Sequence, residues 1–180
     1  MCIVAWVPTE EGFTLFSNRD DRPAKAHLSN HRHKGNDFIV LLNGGLVNHF
    51  PKPPYRASRV EVLDTFFEFK HVEDFKESCM FKGMEPFTLV IYAAEKLQQV
   101  VWTGSEVLHH AVDKTVQHLW ASSTLYTSEQ QAHFKHQVKQ ALEEGNSVIE
   151  QIESLFQKQF QFPGNSFGTV TLSTTRVQLY

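Results

Sequence analysis

Only two cysteines, Cys2 and Cys79, occur in 180 residues, too few for a disulfide framework and without the paired spacing of a structural zinc site. Both are read as reduced thiols. No apolar run approaches the roughly 20 residues that a membrane-spanning helix needs. No basic segment precedes the apolar start Ile3-Val4-Ala5-Trp6-Val7. Neither membrane insertion nor a signal peptide is therefore expected, and the expected compartment is the cytoplasm. Cationic excess is missing as well: 17 Lys and Arg stand against 20 Asp and Glu, a formal charge of -3. Without a dense Lys/Arg stripe there is no field to drive counterion release, which argues against a nucleic-acid partner. With 9 Gly and 7 Pro the chain has no collagenous or disordered bias. No internal repeat, low-complexity tract or linker divides it, so residues 1–180 are read as a single domain.

What is present is ordinary globular material with a Phe-rich core: 15 Phe against 4 Tyr and 3 Trp. Cys2 to Val7 and Gly12 to Phe16 read as a strand hairpin, with Pro8 to Glu11 as its turn. The polar stretch from Ser17 to Arg22, closed by Pro23, reads as a loop after the second strand, and His27 to Asn36 as another exposed loop. Phe38 to Leu42 and Leu46 to Phe50 are strand candidates joined by Asn43-Gly44-Gly45, a sequence suited to a tight hairpin. Ser58 with Glu61 is a capping-box pattern opening a helix to about Phe69, and Val72 to Phe81 is a second helix. Phe87 to Ala93, Gln98 to Thr103, Glu106 to His110 and Thr115 to Trp120 read as a four-strand meander. Thr127 with Gln130, or Ser128 with Gln131, caps a helix to about Glu144, and Ser147 with Glu150 caps another. Strands at Val170 to Ser173 and Arg176 to Tyr180 close the chain. Strands, helices, strands, helices and strands in that order, joined by hairpins rather than alternating βαβ units, predict a layered α+β fold. A four-layer αββα sandwich accommodates it.

Two places could carry chemistry. Removal of Met1 would put a thiol and a free α-amine on Cys2, and an amine with a pKa of about 8 suits the role of base. The plain alternative is a small apolar residue opening a strand. In Arg19-Asp20-Asp21-Arg22 two cations and two carboxylates follow one another after a strand. A guanidinium near Cys2 would favour thiolate, and a carboxylate would hold an ammonium or orient a substrate amine. The plain alternative here is a charged turn.

Met1-Cys2-Ile3 together with Asn18-Arg19-Asp20-Asp21 and Arg22-Pro23 resembles the NRDE family, also called the transport-and-Golgi-organisation 2 family. Asp21 stands where that family usually has Glu. The family in turn resembles the cysteine N-terminal-nucleophile hydrolases of the choloylglycine and penicillin V acylase kind. The resemblance implies an αββα fold of that type, Cys2 as nucleophile, and Arg19 with Asp21 as the nearby ionic pair. A one-residue shift would exchange Arg19 for Asn18 and Asp21 for Asp20, which keeps Asn18 and Asp20 as substrate-binding candidates. Leu46-Val47-Asn48 is similar to the segment that supplies an oxyanion-hole asparagine, making Asn48 a catalytic candidate; a strand-end Asn bonding its own backbone is the other reading. Trp120-Ala121-Ser122-Ser123 resembles a stretch in which an asparagine follows serine, but Ser123 stands there instead, a substrate-binding candidate lacking the amide. The late arginine of choloylglycine hydrolases has no clear counterpart, and the chain is short for the family. An unremoved Met1 would acylate the amine of Cys2 and abolish the base.

The implied activity is hydrolysis of a small non-peptide amide C–N bond, with a small-molecule substrate and no cofactor. The alternative is a non-catalytic carrier that binds a small apolar ligand on the same fold, with haem among the ligands implied by the resemblance; no Cys-x-x-Cys-His is present to attach haem covalently. The ten histidines, including His31 and His33, His109-His110, and His133 with His136, complete no metal motif with neighbouring Cys or carboxylates and are read as structural or solvated.

Overall fold

The computed structural model describes residues 2–10, 12–20, 30–78, 81–124, 126–143 and 170–178. It is an α+β protein with two antiparallel sheets and three helices among those residues. The chain divides into two compact units. The first holds β1 (Cys2–Thr9), β2 (Gly12–Asp20), β8 (His118–Ala121), α3 (Ser128–Glu143) and β9 (Val170–Gln178), its four strands ordered β8-β1-β2-β9. The second holds β3 (His31–Lys34), β4 (Asp37–Asn43), α1 (Glu61–Phe66), α2 (Val72–Glu77), β5 (Phe87–Ala93), β6 (Lys96–Trp102) and β7 (Val107–Val112), together with Ser122 to Thr124; its five strands run in sequence order. No helix among the described residues is long and apolar enough to cross a membrane.

In the first unit β1 is apolar from Ile3 to Val7 and every one of those residues is buried, so both faces of the strand are covered. Trp6 stacks on Phe13 with ring centroids 3.8 Å apart. Strand β2 is longer than its apolar pattern predicts. Asn18, Arg19 and Asp20, read above as loop, are its last three residues. Asn18 and Arg19 pair with both β1 and β9, and hydrogen-bonded neighbours on two sides override the weak strand preference of polar residues. Strand β9 is one continuous element where two were expected, because β2 supplies nine paired positions from Gly12 to Asp20.

In the second unit the runs Phe38 to Leu42 and Phe87 to Tyr92 are buried on both faces, which explains why they are nearly continuous in apolar residues rather than alternating. Helices α1 and α2 cover one face. Val62, Leu63, Phe66, Val72 and Phe75 join Ile39, Leu41, Leu89, Ile91, Val100 and Trp102 in one core. Phe75 meets Phe66 edge to face at 5.1 Å and Phe81 at 5.3 Å, and Phe81 meets Phe87 at 5.2 Å. These are the offset geometries that aromatic quadrupoles favour.

Four expectations fail in or at the edge of this unit. His31 to Lys34 is strand β3 rather than loop; it pairs with β4 across Gly35-Asn36, a two-residue turn with Gly35 at φ +60°. Leu46 to Phe50 is not a strand: β3 and β5 already occupy both sides of β4, and the Gly44 N–H donates instead to the Pro86 carbonyl at 3.0 Å. Both helices are shorter than their periodicity predicts. The expected fourth strand of the meander, β8, pairs with β1 in the first unit's sheet. The helix expected from Ser147 lies outside the described residues.

Candidate functional site

The antiparallel register of β1 and β2 decides which motif residues belong with Cys2. Cys2 is the Cα partner of Arg19, and Ile3 that of Asn18. Directly opposed residues of an antiparallel pair share a face of the sheet, and alternate residues along a strand take opposite faces. Cys2 and Arg19 therefore occupy one face, with Thr171 of β9 next in the row, while Asn18 and Asp20 occupy the other. Of the two alternatives open in the sequence, Arg19 rather than Asn18 is the residue across from Cys2. Asp21 lies outside the described residues.

The second unit carries the remaining candidates. Asn48 is exposed, in an irregular loop rather than at a strand end. Ser123 is brought against the same loop: its hydroxyl donates to the Val47 carbonyl at 3.2 Å. That contact requires glycine at 44, where φ is +86° and a Cβ would collide with Ser123 Oγ and lie 2.8 Å from Thr124 Cγ2. Ser122, fully buried, donates from Oγ to the Asn43 carbonyl at 2.6 Å. Ser122 and Ser123 thus tie the chain on both sides of Gly44-Gly45, and the Ser123 hydroxyl is engaged with backbone.

A constellation absent from the sequence reading stands beside Asn48. His49 Nε2 donates to Glu85 Oε1 at 3.2 Å, and the Arg59 guanidinium holds the other oxygen of the same carboxylate at 3.2 Å. Arg59 also donates to the Pro86 carbonyl at 3.2 Å. Because a carboxylate only accepts, this geometry fixes Nε2 as the protonated nitrogen in neutral His49 and leaves Nδ1 as an acceptor. Among the described residues, the buried Nδ1 has no hydrogen-bond partner. No local pattern could have announced the group, since Glu85 lies 36 residues beyond His49 in sequence.

The histidine pair His109-His110 separates across its strand. His109 lies over the helix-covered face, its Nε2 donating to Gln98 Oε1 at 2.8 Å and its Nδ1 lying 3.4 Å from Lys76 Nζ, whereas His110 is exposed. Burial first, and then the Lys76 ammonium, hold the His109 imidazole below the ordinary histidine value; Glu73 acts in the opposite sense and His110 in the same sense. His133 and His136 are both exposed on α3. No group of three or more His, Cys, Asp or Glu among the described residues is placed to hold a metal ion.

Compared with known proteins, the chain matches no protein-family model, and no curated protein is similar to it at a significant level.

Proposed function

We propose that the chain is an NRDE-type amidohydrolase, built as an αββα N-terminal-nucleophile fold, that cleaves a small non-peptide amide. The observation that carries this reading is the register: of all the positions along β2, the one directly opposite Cys2 belongs to Arg19. A guanidinium brought near the Cys2 thiol would favour the thiolate that the chemistry needs. Once Met1 is removed, Cys2 Sγ attacks the amide carbonyl carbon and its proton passes to the α-amine of the same residue. The C–N bond then breaks as the leaving amine takes that proton, and a thioester to Cys2 remains. Water attacks the thioester, its proton returns through the α-amine to sulfur, and a carboxylic acid departs. Asn48 is the proposed side-chain donor to the oxyanion, and Asp21 the proposed carboxylate partner of Arg19.

A second reading is a carrier for a small apolar ligand such as haem. It is favoured by Ser123, which stands in place of an expected amide donor and has its hydroxyl committed to the Val47 carbonyl.

Intact mass of untagged protein, before and after brief treatment with iodoacetamide at neutral pH, separates the two. The hydrolase reading expects loss of Met1 and a rapid single alkylation that maps to Cys2 and disappears in Cys2→Ser, with Cys79 as the internal reference thiol. Retained Met1, or a Cys2 that reacts no faster than an ordinary free thiol, would sink the hydrolase mechanism and leave the carrier.

A further inference from the structure

The two edges of the second unit's sheet are built differently. At one edge β3 is a short strand of four residues that carries Arg32 and Lys34, and cations on a short strand guard it against pairing with another chain. At the other edge β7 has six residues, Val107-Leu108-His109-His110-Ala111-Val112, with no Lys, Arg, Asp, Glu or Pro among them. Its register with β6 runs unbroken from Val107 opposite Trp102 to Val112 opposite Leu97. Neither a permanent charge, a proline nor a bulge blunts this edge.

The outward side of β7 is a row of backbone groups. The Thr103 N–H donates to the Glu106 carbonyl at 3.1 Å across the turn, so Glu106 faces its main-chain groups toward β6 and, by alternation, so do Leu108, His110 and Val112. Val107, His109 and Ala111 therefore aim N–H and C=O away from β6, where no strand lies among the described residues. His110 and Ala111 are both exposed, and as neighbours along a strand they take opposite faces, so the middle of the edge is open on both sides. A row of outward backbone donors and acceptors selects one kind of occupant, an extended chain.

The side chains along the strand select which chain. About a two-fold axis at His110, an antiparallel second copy sets Leu108 opposite its Val112, His109 opposite its Ala111 and Glu106 opposite its Lys114, and each pair occurs twice. Opposed residues share a face. Half-buried Leu108 thus meets half-buried Val112, the His109 ring meets the smallest side chain of the strand, and exposed Glu106 meets exposed Lys114 of opposite charge. The neighbouring two-fold registers lose this match. An axis on His109 sets Glu106 against Val112 and Leu108 against His110, and an axis on Ala111 sets Leu108 against Lys114 and Glu106 against Val116.

We propose that β7 is a self-association edge, at which two copies of this chain join their five-stranded sheets into one continuous sheet about a two-fold axis at His110. The backbone of His109 exchanges both its hydrogen bonds with that of Ala111 of the second copy, and the reverse. One strand pair is smaller than a standard interface, so the dimer is a weak one. The proposal concerns the second unit alone and stands or falls separately from the chemistry at Cys2.

The test is sedimentation velocity of the full chain over about 5 to 500 μM, the span in which an interface below standard size is expected to pass from monomer to dimer. Ala111→Pro removes an outward N–H and leaves the ladder to β6 intact, so it should stay monomeric throughout while its circular dichroism matches wild type. Glu106→Lys and Lys114→Glu should each weaken the dimer by about tenfold, and the double variant, which restores opposite charges, should recover it. If Ala111→Pro fails to fold, the charge exchange decides alone. Wild-type protein that remains monomeric at every concentration overturns the proposal and would leave the edge to a strand of another protein. A dimer that folded Ala111→Pro still forms overturns it as well, as does a double variant that associates no better than either single one.

Discussion

His109 sits where its neutral form satisfies every neighbour and its charged form does not. With Nε2–H donating to Gln98 Oε1, Nδ1 is the acceptor that faces the Lys76 ammonium; protonation would set an N–H against that cation in a partly buried place. The lowered value in the folded state has a definite sign in linkage. Between the folded value and the ordinary 6.5 the unfolded chain binds more protons, so stability is whole above 6.5 and is lost as pH falls below it toward the folded value. Replacing Lys76 by Met removes the second cause of the shift, so the His109 titration followed by NMR should move up toward 6.5; a midpoint unchanged or lower would show that the ammonium is not a cause. None of this was legible from His109-His110 as a dipeptide. Adjacent strand residues take opposite faces, and the strand's pairing with β6 selects which of the two meets Gln98 and α2. The same parity argument distinguishes Arg19 from Asn18 opposite Cys2, and it too needed the register.

Helix starts were the most legible elements, and two similar sequence patterns show what such a pattern does and does not determine. At α3 the capping box is complete: the Thr127 N–H donates to Gln130 Oε1 at 2.9 Å and the Gln130 N–H donates to Thr127 Oγ1 at 3.2 Å. At α1 only half of it forms. The Ser58 N–H donates to Glu61 Oε1 at 2.9 Å, but the Glu61 N–H goes to the Ser58 carbonyl at 3.1 Å, and the regular helix begins only at Glu61. Thr127→Ala should therefore cost about 1 kcal/mol in urea denaturation, and Ser58→Ala clearly less; an equal or larger loss at Ser58 would contradict this assignment of the caps. Strands were legible where apolar runs are bounded by turn residues, as at Phe87 to Ala93. Leu46 to Phe50 has the same local appearance, yet it finds no partner because β4 is paired on both sides. Edge and centre of a sheet are not local properties. The Gly35-Asn36 turn, by contrast, was present as a hairpin signal in the sequence, and the polar edge strand before it hid that signal.

For the molecule as a whole the Phe-rich composition has a specific destination. The edge-to-face contacts pass from α1 through Phe66, Phe75 and Phe81 to Phe87 on β5, and Phe75 has no exposed surface. Truncating it removes the side chain that touches Phe66, Phe69 and Phe81 together. Phe75→Ala should cost about 3 to 5 kcal/mol, a large share of the roughly 5 to 15 kcal/mol typical of a folded domain; a urea midpoint close to wild type would mean that the helices do not depend on this cluster. By itself the sequence determined the α+β class, most of the strands and helix starts, and the presence of a thiol and a charged motif near one another at the beginning of the chain, because each of these follows from patterns a few residues long. Only the tertiary structure decided that β8 leaves the meander for β1, that Arg19 is the residue across from Cys2, and that His49 finds Glu85 and Arg59. Those outcomes join residues ten or more positions apart along the chain, where pairing is selected by which sheet edges are free, which face each register exposes and which charges must be neutralised on burial.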